Sequence, residues 1–322
     1  MAENVVTADE ITAHLQCPRQ YEFEHERPVS PPRTSDEDIA DHRRETLRQS
    51  IIAGLRKDVE SSDDRVYAAF DRFDQLWRSS RLPYLTDEQA QYDEAVVKRA
   101  IEQYLSNSGH EHAENLLATD TTLGYERDDI RYETTVDAIF EQENGYLAVR
   151  YVPDLNGVVK PWSDNNVQDF RNGREFYPHQ IGTLARTAIA VRGLMDEYGL
   201  DPNCKFAYIS LLDDSQSVYG SDEIHFEVEY RNLTVDYLDE KKEVNDLVAN
   251  RARAILDGET DPKAWQFDEI TDNSCSHCPY QNACPEYFES ELAFTDRSQF
   301  QSESDESSDQ PPARQPPAEE NR

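Results

Sequence analysis

Cys275, Cys278 and Cys284 place three thiols in the spacing Cys-x2-Cys-x5-Cys, inside a turn rich in Ser, Pro and Asn. Thiolates are soft donors suited to Zn²⁺ or to an iron–sulfur cluster, and a closed site of either kind takes four protein ligands. The fourth ligand is either His277, within the motif, or a distant residue. Cys17 is the better match, because it opens Cys-Pro-Arg-Gln-Tyr just after a helix, and Cys278 and Cys284 are likewise followed by proline. Cys17, Cys275, Cys278 and Cys284 are therefore expected to converge on one metal centre that ties the two ends of the domain together. Cys204 stands alone at the start of a strand and reads as a buried thiol. A second chemically loaded position is Asp137 in Val136-Asp137-Ala138-Ile139-Phe140. A carboxylate inside an apolar strand is costly unless a metal or hydrogen bonds answer it.

The elements that must position these groups follow from periodicity. Thr7 caps a helix reaching Phe23, broken by Cys17-Pro18, and a Pro/Ser-rich loop runs from Pro28 to Ser35. Apolar residues at helical spacing predict helices over Asp36–Leu55, around Val66–Trp77 and around Tyr92–Leu105. From Leu123 the character changes. Tyr132–Phe140 and Tyr146–Val152 alternate as the two strands of a hairpin about a polar turn. A helix from Pro178 to Tyr198 stops at Gly199, and Lys205–Leu212 and Glu223–Tyr230 predict two more strands. Thr234 is expected to cap a long helix ending at Gly258. The sum is a mixed α/β domain with one central sheet and a helical N-terminal part.

Composition sets the surroundings. The 322-residue chain carries 66 acidic and 32 basic residues, a net charge of −34, and only seven of its basic residues are lysine. Acids run through the helical segments as well as the Ser/Glu/Pro-rich C-terminal stretch. That pattern predicts a halophilic cytosol, where the Debye length falls to about 3 Å at 1 M salt and carboxylate self-repulsion is screened. The low pI thus reports the solvent and does not argue against nucleic acid as a partner. No apolar run is long enough to span a membrane. Met1-Ala2-Glu3-Asn4 lacks the features of a secretory signal, so the expected location is cytoplasmic, with cysteines reduced or ligating.

The stretch TADEITAHLQCPRQYEFEH, followed far downstream by CSHCPYQNAC, resembles the iron–sulfur branch of the PD-(D/E)XK nuclease superfamily. That branch includes the CRISPR-associated RecB-like exonucleases and the AddB-type nuclease domains. The resemblance implies a nuclease-like core over residues 1–294, a central mixed sheet flanked by helices, with a helical insertion at about 56–120; the acidic Pro/Ser-rich tail over 295–322 has too little apolar material to fold alone and is expected to be disordered. It implies a 4Fe–4S cluster on Cys17, Cys275, Cys278 and Cys284, with zinc as the lesser alternative. It also implies Mg²⁺ or Mn²⁺ at a catalytic site holding His42 and Asp137.

The family's acid-x-Lys motif is Ala148-Val149-Arg150 here. Ala148 has no oxygen to donate. Arg150 keeps the charge and can grip a phosphate, but a guanidinium is not a base at neutral pH. The glutamine motif keeps Gln180 and has Leu184 in place of tyrosine, while Arg186 and Arg192 on the same helix are candidate DNA phosphate contacts. Asp154 and Glu175 are the nearest candidates in sequence for a carboxylate migrated into the metal site. Two functions follow as expectations. One is a metal-dependent DNA nuclease acting on single strands or duplex ends beside a repair or CRISPR-adaptation protein, its activity weakened or lost. The other is a non-catalytic, iron–sulfur-stabilised DNA-binding or scaffold module.

Overall fold

A computed structural model describes residues 4–27, 29–31, 34–79, 82–160, 166–199, 203–217 and 224–294. Thr7 ends β1 (Val5–Thr7) and caps α1 (Ala8–Gln16). Its hydroxyl accepts the Glu10 N–H at 3.2 Å while the Glu10 carboxylate accepts the Thr7 N–H at 2.7 Å, a closed capping box. Cys17 interrupts the helix, Pro18 opens α2 (Pro18–Tyr21), and a π-helical turn over Glu22–Glu26 follows. Then come α3 (Ser35–Leu55), α4 (Ser62–Ser79), α5 (Asp87–Ser106) and α6 (Ser108–Glu114). Three strands succeed them, β2 (Leu116–Arg127), β3 (Ile130–Gln142) and β4 (Gly145–Val152). α7 (Asn166–Arg171) and α8 (Pro178–Tyr198) lead to β5 (Cys204–Ser217) and β6 (Ile224–Asn232). The remainder is helical, with α9 (Thr234–Asp239), α10 (Lys241–Leu256), α11 (Phe267–Asn273) and α12 (Pro285–Phe294).

β3 is the hub of a mixed six-stranded sheet. β2 runs antiparallel along one edge of it, from Leu116 opposite Phe140 to Arg127 opposite Ile130. The other edge is shared. β1 lies parallel to Arg131–Glu133, and β4 lies antiparallel to Ala138–Gln142. The sheet therefore forks around residues 134–137. Beyond β4 the order continues through parallel β5 to antiparallel β6, and the parallel step uses α7 and α8 as its crossover.

Side-chain parity changes at the fork. Ile130, Tyr132 and Val136 face one core, but Ala138 and Phe140 face the other and Ile139 returns to the first. β2 changes parity opposite it, between Ala118 and Leu123, across Asp120 with φ of 50°. Aspartate tolerates that left-handed backbone better than most residues.

Two apolar layers sandwich the sheet. On one face, Ile11 and Leu15 of α1, Ile181, Leu184 and Ile189 of α8, and Leu247 of α10 pack on Phe206 and Tyr208. On the other, Leu47 and Ile51 of α3, Phe73 of α4 and Ile101 of α5 pack on Phe140, Leu147, Val149 and Ile209. Each such side chain contributes about 1.5–3 kcal/mol on burial. α1 and α8 touch closely at Gly182, where a Cβ would meet the Thr12 side chain at 2.6 Å. No described helix is long and apolar enough to cross a membrane.

Three local expectations differ from the structure. β1 and the first half of β2 are strands that apolar alternation does not reveal, one being three residues long and the other rich in Thr and Asp. Thr234 does not cap a long helix: its hydroxyl accepts the Phe206 N–H of β5 at 2.9 Å, and the helix splits at Glu240. The Glu240 carboxylate instead accepts the Asn166 and Val167 N–H groups, each at 2.7 Å, at the start of α7. The 295–322 tail and parts of the Pro28–Ser35 loop lie outside the described residues.

The two chain ends meet at His14. It is fully buried, with Nε2 2.9 Å from the Glu259 carbonyl and Nδ1 3.1 Å from an Arg251 Nη, and Arg251 lies 3.6 Å over the Trp265 ring. A carbonyl requires a donor and a guanidinium an acceptor, so the ring is neutral with its proton on Nε2. Burial, then the Arg251 charge, pushes its pKa down to about 4. The stabilisation linked to this group is complete above its ordinary value of 6.5 and is lost as pH falls toward about 4. Unfolding temperatures measured across that window at constant KCl should fall more steeply for wild type than for His14→Gln. Parallel curves would place the acid sensitivity elsewhere.

Candidate functional site

Cys17, Cys275, Cys278 and Cys284 line one small cavity, with Arg19, Phe23 and Tyr280 around them. It holds about 350 Å³ of atom-free space, part of it open to solvent. Three of the thiols share one local design. Cysteine precedes proline, which has no N–H, and the next free amides turn onto the sulfur: Arg19 and Gln20 onto Cys17, Tyr280 onto Cys278, Glu286 and Tyr287 onto Cys284. Cys17 and Cys284 each stand just before a helix that proline begins, α2 and α12.

As bare thiols all four hold their protons. Burial pushes Cys17 up to about 12 and Cys275 up to about 11, and the sulfurs' mutual repulsion adds to it. Burial also raises Cys278 and Cys284. The Cys284 thiol lies 3.5 Å from the Glu286 carboxylate, whose charge Arg19 answers through two hydrogen bonds. Phe23 meets Tyr280 with centroids 5.4 Å apart, so the walls of the cavity come from both chain ends.

A larger cleft, about 1910 Å³ of atom-free space and partly open, occupies the fork. α1 supplies Asp9, α3 Glu45 and Arg48, β2 Asp120, β3 Asp137, β4 Arg150, α8 Arg186 and β5 Tyr208. Asp137 is buried. Its Oδ2 accepts the Tyr151 N–H at 2.7 Å, and its Oδ1 lies 3.4 Å from an Arg48 Nη. Burial raises its pKa, against the pull of Arg150, the Tyr151 amide and Arg48. Arg186 is engaged, donating to Asp9 and, at 3.2 Å, to Thr134. The Arg150 side chain makes no hydrogen bond or ion pair among the described residues, and burial, then the Arg186 charge, lowers its pKa.

Arg48 is the residue that sequence reasoning missed. Its guanidinium donates to both oxygens of Glu45, at 2.9 and 2.7 Å, to Asp120 at 2.5 Å and to Asp137 at 3.4 Å. Arg56 holds the other Asp120 oxygen at 3.0 Å. The only sequence signal is Glu45-x-x-Arg48, which on any helix reads as a surface pair.

The other expected residues are dispersed. His42 lies off the cleft wall, 3.2 Å from the Thr46 hydroxyl and ring to ring with Trp77 between α3 and α4. Gln180 is half-buried beside the cleft-lining residues of α8 without being one of them. Arg192 stacks on Tyr125 at 4.0 Å, away from the cleft. Asp154 lines the cleft but accepts the Asn156 N–H at 2.8 Å, and Glu175 is exposed outside it.

These side chains do not fit Mg²⁺ or Mn²⁺, which take several oxygens. Both Asp137 oxygens are engaged, Ala148 is buried in the core, and two guanidiniums stand alongside. Among the described residues no three His, Cys, Asp or Glu side chains form a ligand set for one ion. No family model matches the chain, and no curated protein matches it.

If Arg48 is the counter-charge of this cleft, Arg48→Ala should cost about 2 kcal/mol, the worth of charge-assisted hydrogen bonds to carboxylates that keep Arg56 and Arg150 as neighbours. Adding Asp137→Asn should return part of it. A double-mutant cycle by urea denaturation reads the coupling, and strict additivity would refute the assignment.

Proposed function

We propose that this chain is a non-catalytic relative of the PD-(D/E)XK nucleases, an iron–sulfur-stapled module that holds a nucleic-acid phosphate in its fork cleft. The carrying observation is Arg150. It takes the place of the nuclease lysine, lines the cleft, and has no hydrogen-bonding partner there among the described residues, while Arg48 answers Asp137. A planar guanidinium suits a phosphate oxygen pair and has no lone pair for general-base work. Hydrolysis with Mg²⁺ or Mn²⁺ has less support, because among the described residues the cleft carboxylates Asp9, Glu45 and Asp120 are engaged by arginines and no three ligands gather for one ion. The working partner in this reading is single-stranded or end-frayed DNA, presented by a repair or CRISPR-adaptation protein.

The thiol cavity fits a 4Fe–4S cluster on Cys17, Cys275, Cys278 and Cys284. The donors are all sulfur, amide N–H groups already face three of them, and the four surround a shared hollow. Bound there, the cluster would cross-link the chain ends and draw the protons off the thiols. The staple closes a loop of roughly 260 residues, the kind of closure that restricts the unfolded chain most.

Anaerobically purified protein should show broad visible absorption that Cys275→Ser abolishes together with much of the thermal stability. A colourless protein carrying stoichiometric zinc would replace the cluster with a zinc staple. In molar KCl with Mn²⁺, single-stranded DNA should be bound and left intact, and Arg150→Ala should weaken binding about tenfold, the worth of one charge-assisted contact. DNA cleavage that disappears in Asp137→Ala would overturn the non-catalytic reading.

A further inference from the structure

A third hollow lies at the far half of α8. That helix turns His179, Gly182, Thr183 and Arg186 toward the fork cleft, but Val191, Arg192 and Met195 toward this second space of about 490 Å³, partly open to solvent. Its charged lining is Arg127 from the end of β2, Arg192, and Lys241 from the start of α10, and no carboxylate lines it. In a chain with 66 acidic and 32 basic residues, three cations around a space without acids is the opposite of what composition favours.

Elsewhere the cations are commonly answered, Arg19 by Glu286, Arg131 by Glu133 and Lys263 by Glu289. Here the partners carry little charge. The Arg192 guanidinium carbon lies over the Tyr125 ring at 4.0 Å, and one Nη donates to the Asn245 side-chain oxygen at 3.3 Å, so it is held by neutral groups. Arg127 pairs with Asp128 at 3.5 Å, which also serves Arg253 at 3.3 Å, and it feels the Asp246 charge from beyond ion-pair distance. Lys241 makes no ion pair among the described residues. Like charges facing one space repel each other, and an anion placed between them relieves that repulsion.

We infer that this hollow is an anion site for a phosphoryl group, separate from the fork cleft and independent of the function proposed for it. Two guanidiniums and an ammonium match a multiply charged tetrahedral anion, whose oxygens accept fork-shaped donor pairs. A single carboxylate would leave most of the positive charge unanswered. Val191, Met195 and Leu238 add an apolar wall, against which the body of a phosphorylated molecule can lie.

The test uses the full chain carrying Arg150→Ala, which silences phosphate binding in the fork cleft, in potassium glutamate and titrates inorganic pyrophosphate by calorimetry. One site is expected. Lys241→Glu and Arg127→Gln, both exposed positions, should each weaken it about tenfold, as loss of one charge-assisted contact does, while Lys263→Gln, an exposed lysine outside the hollow, leaves it unchanged. A single-stranded oligonucleotide added in competition names the source of the phosphate. Displacement assigns the site to a nucleic-acid backbone, and unchanged pyrophosphate binding assigns it to a small phosphorylated molecule. Absence of pyrophosphate binding in that background, binding indifferent to Lys241→Glu and Arg127→Gln, or binding equally weakened by Lys263→Gln would each overturn the inference.

Discussion

One edge of β3 serves two strands, and the rest of the molecule is arranged around that sharing. Where β1 leaves and β4 has not yet joined, the backbone of the sheet interior still demands hydrogen-bond partners. The Asp137 carboxylate meets part of the demand by taking the Tyr151 N–H, so a side chain does the work of a missing ladder rung. Opposite it, Asp120 adopts a left-handed backbone, and the two acids come to the same guanidinium. The fork is therefore a structural necessity first. Its cleft, its buried charge and its arginines follow from how that necessity is met.

Much of this frame was legible from residue order alone. Long helices with apolar residues at three- and four-residue spacing, such as α3, α5 and α8, announce themselves because one face of each is buried against the sheet. The β3–β4 hairpin is legible for the same reason at a period of two. The Cys-x2-Cys-x5-Cys spacing and the recurrence of Cys-Pro also pointed to four thiols, and these do line one cavity. Strand β1 is too short for periodicity to register, and β2 hides its pattern behind threonine and a parity change at Asp120.

The candidate cleft was legible only in part. Asp137, Arg150 and Arg186 were visible as charges at apolar or motif positions, and all three line it. Arg48 was invisible because its importance depends on where β2 and β3 bring two carboxylates, which no local spacing encodes. His42 shows the converse. It is expected to bind metal from α3, yet the helix turns it toward Trp77, and Arg48, six residues later, reaches the cleft instead. Rotation about a helix axis decides such cases, and it is set by which hydrophobic stripe the neighbouring helices cover.

The meeting of the two chain ends has a consequence for synthesis. α1 is made long before the residues that cover it: β1 pairs with residues 131–133, His14 waits for Arg251 and Glu259, and Cys17 waits for the thiols near Cys284. Ile11 and Leu15, both buried in the finished molecule, pack against α8 and α10, which follow them by more than 150 residues. Until those helices are made they have only water, or a chaperone, to face. An acid-rich chain that repels its copies is well suited to survive that interval.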